Sequence, residues 1–248
     1  MLIQISATMK RLLLFTTLVV FSYGCKKNAT EDPAPVKCLP VKVIFEGDET
    51  YVYDFDDTGL ISLITLDPGN GLAETYAYTW QDGRIANIVY TDSADNSTLQ
   101  LVPEYDGALI TKISAADLGE LRLNYNGEQL TSAGFWVIDG NQILQTMEYN
   151  FSYDANGNLS RSEMSFPQAP NDPPTVTEYE YTGLTGENPM YNTWFIDFLD
   201  MSLAMNFPTK ITKYSVTETF TITLNEEGLP ERMEGDKGTL ITVVYNCN

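Results

Sequence analysis

The sequence predicts an all-β protein: an antiparallel meander of about 14 strands, curled into one sheet or an open barrel, with one short helical insertion near residues 190–206. Three observations carry this expectation. Tyrosine is in excess, with 15 Tyr against 3 Trp, and a tyrosine ring suits a half-buried strand that keeps its hydroxyl at a wet edge. Short alternating aromatic runs recur, as in Tyr51-Val52-Tyr53, Tyr76-Ala77-Tyr78 and Tyr149-Asn150-Phe151-Ser152-Tyr153. Each run leads into a glycine-containing reversal, and the reversals return at steps of about 20 to 30 residues.

Taken from the amino terminus, the chain first reads as an address. Met9-Lys10-Arg11 is followed by a mostly apolar run, Leu12–Phe21. Such a run is too short to span about 30 Å of hydrocarbon as a helix, but it suits the core of a signal peptide. The run ends Ser22-Tyr23-Gly24-Cys25. A small residue directly before a cysteine resembles the lipobox of bacterial lipoproteins. That resemblance implies cleavage after Gly24 and a diacylglyceryl group on the Cys25 thiol, against the alternative of an ordinary cleaved signal. The domain division expected is therefore a signal peptide over 1–24, a tether over 25–40 and a β domain over 41–248. The stretch Lys26–Pro40 is polar and contains three prolines, a composition that keeps a tether extended.

Cys38 and Cys247 stand just before the first expected strand and one residue from the end. An oxidising envelope compartment favours a disulfide between them, with two free thiols as the alternative.

The β domain is organised by its turns. Phe55-Asp56-Asp57-Thr58-Gly59-Leu60-Ile61 and Tyr153-Asp154-Ala155-Asn156-Gly157-Asn158-Leu159 share one pattern: aromatic, Asp, two residues, Gly, any residue, aliphatic. Shortened forms occur around Gly83, Gly107 and Gly127, and weaker ones around Gly183 and Gly228. In each, Asp or Asn can bond nearby backbone and open the turn, glycine accepts a left-handed conformation, and an aliphatic strand returns. Seven such hairpins account for the strand count. These residues resemble the YD repeats of RHS-type proteins, and the arrangement is similar to Bacteroidota-type lipoproteins that carry such repeats behind a lipidated cysteine. The resemblance implies architecture and an outer-membrane location, and it implies no activity.

Between Asn188-Pro189-Met190 and Phe207-Pro208-Thr209 the alternation stops. Apolar residues at 194, 195, 198, 199, 201, 203 and 205 fit helical spacing better, so a helix or irregular plug packed on the sheet is expected.

Charge and composition exclude several functions. There are 14 basic and 34 acidic residues. Removing Lys10 and Arg11 with the signal leaves 12 − 34 = −22. No cationic cluster exists to displace counterions from phosphates, so nucleic acid is not an expected partner. The chain has no histidine, which removes Ser-His-Asp and Cys-His nucleophile systems and histidine-containing zinc sites. No cofactor or metal is expected, although Asp54, Asp56 and Asp57, or Asp154, Asn156 and Asn158, supply oxygen ligands that calcium could use. Two function classes stay open. One is a noncatalytic envelope module, binding a glycan or an envelope protein or serving structurally, held as a monomer to the membrane by its lipid alone. The other is a carboxylate-dependent hydrolase acting on envelope or dietary polysaccharide. The paired tyrosines either pack in the core or offer rings for sugars to stack on.

Overall fold

The computed structural model describes residues 38–47, 49–182, 203 and 206–247. Cys25, Gly183 and most of the expected 190–206 insertion lie outside them. Among the described residues there are sixteen strands and no helix. Each strand pairs antiparallel with its neighbour in sequence, and the first pairs with the last, so the meander closes into a barrel.

Seven consecutive strand pairs follow the expected order, and six of them are joined by glycine turns read from sequence, while the seventh turn, at Gly183, lies outside the described residues. They are β2 (Thr50–Phe55) with β3 (Ile61–Asp67), β4 (Glu74–Gln81) with β5 (Arg84–Asp92), and β6 (Ser97–Asp106) with β7 (Leu109–Ala115). Next come β8 (Gly119–Asn126) with β9 (Gln129–Asp139), and β10 (Gln142–Tyr153) with β11 (Leu159–Ser165). The last two are β12 (Thr175–Glu180) with β13 (Lys210–Lys213), and β14 (Val216–Leu224) with β15 (Pro230–Gly235). The two strands beyond the expected count are the chain's ends, β1 (Cys38–Phe45) and β16 (Leu240–Cys247). They pair with each other and close what an open sheet would leave as two bare edges. Cys38 is thus inside the first strand rather than before it, and β1 takes in Cys38–Pro40, three residues of the expected tether.

The turns are local chemistry. In β2–β3 the Asp56 carboxylate accepts from Thr58 N at 2.8 Å and Leu60 N at 3.0 Å, while Gly59, at φ 79°, donates to Asp56 O. Asp154 and Asn225 do the same in their own turns. The hydroxyl of Thr58, then the Leu60 amide, hold the Asp56 carboxyl below its ordinary pKa of 3.8. A depressed folded-state pKa gives a contribution that is present above 3.8 and is lost as pH falls through the folded value. Asp56→Asn keeps the acceptor, as Asn225 shows, so it should leave neutral-pH stability nearly unchanged while flattening the acid limb of a denaturation-versus-pH series.

The inward face of the barrel is mostly apolar. Val43, Ile64, Ile88, Ile110, Leu159 and Met233, from six different strands, are all 0% exposed. Tyr51, Tyr53, Tyr76, Tyr78, Tyr90 and Tyr179 join them in the core. The paired tyrosines are therefore packing residues, and their rings are not available to sugars. A round barrel of this strand number would enclose a lumen. Here the inward side chains form one packed cluster instead.

A second regularity joins each hairpin to the one before. The aromatic that precedes a turn donates to the carbonyl at the start of the previous hairpin's return strand. Trp80 Nε1 reaches Ile61 O at 2.8 Å, Tyr105 Oη reaches Ile85 O at 3.0 Å and Tyr125 Oη reaches Ile110 O at 3.0 Å. Tyr153 reaches Leu130 O at 2.8 Å, Tyr181 reaches Leu159 O at 2.8 Å and Tyr245 reaches Pro230 O at 2.9 Å. Burial pushes the Tyr125 and Tyr181 phenols up, so they stay protonated donors. Phe55 and Leu224 occupy the same place without a donor. Removing one hydroxyl, as in Tyr153→Phe, should cost about 1 kcal/mol because a buried carbonyl loses its partner. Phe55→Tyr should add a bond to Pro40 O and raise the thermal midpoint. Differential scanning calorimetry reads both, and an unchanged midpoint in Tyr153→Phe would show that the hydroxyls are incidental.

Candidate binding surfaces

Alternation that puts apolar side chains inside puts polar ones outside. Along β8 the inward residues are Leu121 and Leu123, and the outward ones are Arg122 and Asn124. Along β12 the inward Thr177 and Tyr179 alternate with outward Glu178 and Glu180. Outward charges pair across strands, where Lys112 Nζ lies 2.6 Å from Glu104 and 3.7 Å from Glu120, and along a strand, where Arg161 lies 2.7 Å from Glu163. A membrane-spanning barrel carries an apolar band outside and a polar lumen. This barrel is the reverse, with polar side chains on its outer wall and an apolar core within. Tyr78 lies within this core, and burial holds its pKa well above the ordinary phenol value.

The strand order separates two ends. The six described glycine turns read from sequence, Cys38 and Cys247 lie at one end, and the loops that join one hairpin to the next lie at the other. At the first end a cleft of about 550 Å³ opens between β1 and the β2–β3 turn, lined by Leu39, Val41, Tyr53, Phe55, Asn246 and the Asp54–Gly59 loop. Its acids are the first of the two oxygen clusters found in sequence. Asp56 is committed to its own turn and held in the charged form, which suits an acceptor and not a general acid. In the second cluster, Asp154 bonds Asn156 N and Asn158 N. Asn158 is only 3% exposed, and its Oδ1 accepts from Asn206 N at 3.2 Å and Asn206 Nδ2 at 2.9 Å. The position read as "any residue" in the repeat thus pins the end of the 183–206 stretch. Leu203 and Phe207 enter the core beside it.

The opposite end carries exposed apolar side chains on its loops. Ile138 and Ile143 face each other at the β9–β10 tip, Phe166 follows β11, and Tyr214 and Val216 flank the β13–β14 turn. Tyr214 is 70% exposed. Tyr214 and Ser215 both take left-handed φ, 52° and 61°, where two-residue hairpins ordinarily use Asn-Gly. Lys213 Nζ sits 5.6 Å from the Tyr214 ring centre, and the Tyr214 hydroxyl lies 3.3 Å from Thr175 Oγ1. Sequence reasoning passed over this turn, because neither residue is a turn signal; only the strained backbone marks it.

These features define a closed antiparallel barrel of hairpins with a polar outer wall and an apolar core. No protein-family model matches the chain, and no curated protein does. Among solved structures, a porin-like protein from Bacteroides uniformis has a similar fold, with a TM-score of 0.57 and 16% identity over 87% of this chain and 98% of that one. A porin-like protein from Bacteroides vulgatus matches at a TM-score of 0.42 and 16% identity, over 85% of this chain and 99% of that one. The TcdB2-TccC3 structure matches at a TM-score of 0.33 and 14% identity, over 75% of this chain and 11% of that one. The first likeness is one of fold.

Proposed function

We propose that this chain is a lipid-anchored protein of the bacterial outer membrane, a degenerate YD-repeat barrel that acts as a noncatalytic binding module. In this reading Cys25 carries the lipid, and the intervening dozen residues, at about 3.3 Å each when extended, hold the barrel some 40 Å from the bilayer. The membrane is met through that lipid alone, and the barrel works as a monomer. The single observation behind the reading is the polarity of the barrel's two ends. The amino-terminal segment enters at the turn-bearing end, so the rim with Tyr214, Val216, Phe166, Ile138 and Ile143 points away from the anchor. Exposed aromatic and aliphatic side chains gathered at one rim are the groups that glycan and protein ligands commonly engage.

Two measurements test it. Acyl labelling in a bacterial host should mark the wild-type protein and not Cys25→Ser. A glycan array and an envelope pull-down with Lys26–Asn248 should find a ligand whose binding drops in Tyr214→Ser and Phe166→Ser but persists in Asp57→Asn at the other end. Binding that ignores both rim substitutions would remove the rim from the account, and no binding at all would leave a structural role.

A further inference from the structure

The seam between β16 and β1 repeats the hairpins in register as well as in direction. In every turn-linked pair whose ladder reaches the aromatic, the aromatic faces the first or second residue of the return strand and the ladder then skips one residue. Tyr125 pairs with Leu130 and Asn124 with Ser132; Tyr105 pairs with Ile110 and Glu104 with Lys112. At the seam Tyr245 pairs with Pro40 and Val244 with Lys42, skipping Val41. Asn246 faces Leu39 as Asn126 faces Gln129. Tyr245 also makes the same bond to the preceding hairpin that Tyr125 makes, and the cleft below Phe55 is the notch where the next such bond is missing. Read against Tyr125-Asn126-Gly127-Glu128-Gln129-Leu130, the seam is Tyr245-Asn246-Cys247, then Cys38-Leu39-Pro40. Cys247 and Cys38 stand where Gly127 and Glu128 form the turn. Their Cα atoms are 4.0 Å apart, close to the roughly 3.8 Å that a trans peptide imposes.

We infer that the Cys38–Cys247 bridge is the turn of an eighth repeat, split by the chain's own ends, and that it is a redox latch: a thiol–disulfide exchange site at which a dithiol opens the barrel. Every other repeat is closed by peptide bonds; this one alone is closed by a bond that a reductant can cut. Cys247 is exposed at the rim, so an incoming thiolate can reach its sulfur. The thiolate bonds Cys247 Sγ and the Cys38 sulfur leaves as thiolate, taking a proton. The reductant's second thiolate then displaces Cys247 Sγ, which is protonated in turn. The dithiol ends as a disulfide, having given two electrons and two protons to the chain. With the covalent turn gone, β1 is held by its backbone ladders and by Val43 and Phe45 in the core, and on the β2 side the ladder covers only Lys42, Val43 and Ile44. Fraying of β1 exposes the edges of β16 and β2 while the rest of the meander stays linked.

The test uses Lys26–Asn248, which contains the whole barrel from β1 to β16. Hydrogen exchange is followed by mass spectrometry before and after native reduction with dithiothreitol, and both thiols are trapped with iodoacetamide. Amides of β1 and β16 are expected to exchange about ten-fold faster or more after reduction, while β6–β11 remain unchanged. A circular variant keeps the claim testable if the reduced protein unfolds. In it residue 247 is joined to residue 38 by a peptide bond, with Cys247→Gly and Cys38→Glu, and new ends are opened between Asn70 and Gly71. It should fold and ignore dithiothreitol. The inference is overturned if the bridge reduces without change at β1 and β16, if it resists reduction until the whole barrel unfolds, or if the circular variant does not fold.

Discussion

Replacing both Cys38 and Cys247 by serine is expected to destabilise the barrel by about 2–4 kcal/mol, with about 5 kcal/mol as the ceiling for so long a loop. The bridge spans a sequence separation of 209 residues, so in the unfolded chain it removes more freedom than any local contact can. The ceiling is not expected to be reached, because denatured chains keep some structure and the loss is shared with the ladder of β1 and β16. Urea denaturation of oxidised protein and of the double variant checks this through the midpoint and the slope. A midpoint shift with a lower slope in the oxidised form would place the effect in a more compact denatured state, as the chain-entropy argument requires. A double variant as stable as the parent would show that backbone pairing closes the seam unaided.

Phe207→Ala should cost about 3–5 kcal/mol, the range for emptying an aromatic from a packed core. Phe207 is 0% exposed and meets Phe220 edge to face, with ring centroids 5.8 Å apart. It also follows directly on Asn206, whose bonds to Asn158 fix where the chain re-enters the sheet. The cavity would therefore open where β12 passes into β13, the pair with the shortest strand in the barrel. Phe207→Leu should recover more than half of the loss. Equal losses in the two variants would mean that ring packing against Phe220, and not volume, dominates.

The strands and turns were legible because their causes are local. Asp56, Asp154 and Asn225 organise loops through amides two and four residues ahead, and that reach is written in a short stretch of chain. Tyr51, Tyr53, Tyr76 and Tyr78 were correctly grouped on one face by their period of two, yet which side of the wall that face takes depends on closure. The bonds from Trp80, Tyr105 and Tyr153 to the hairpin before were not read, although an aromatic with a donor stands at that place in most repeats. The signal for the eighth repeat was also present: Tyr245-Asn246-Cys247 differs from Tyr125-Asn126-Gly127 only in its last residue.

What the amino-acid order determined alone is the hairpin, since alternation and turn chemistry act within a few residues. Only the tertiary structure decided that the hairpins close on themselves, that the wall is polar outside and packed within, and that Tyr214 stands exposed at the far rim. The physical reason is that closure depends on how many twisted units fit one circumference, a sum over the whole chain that no local stretch contains.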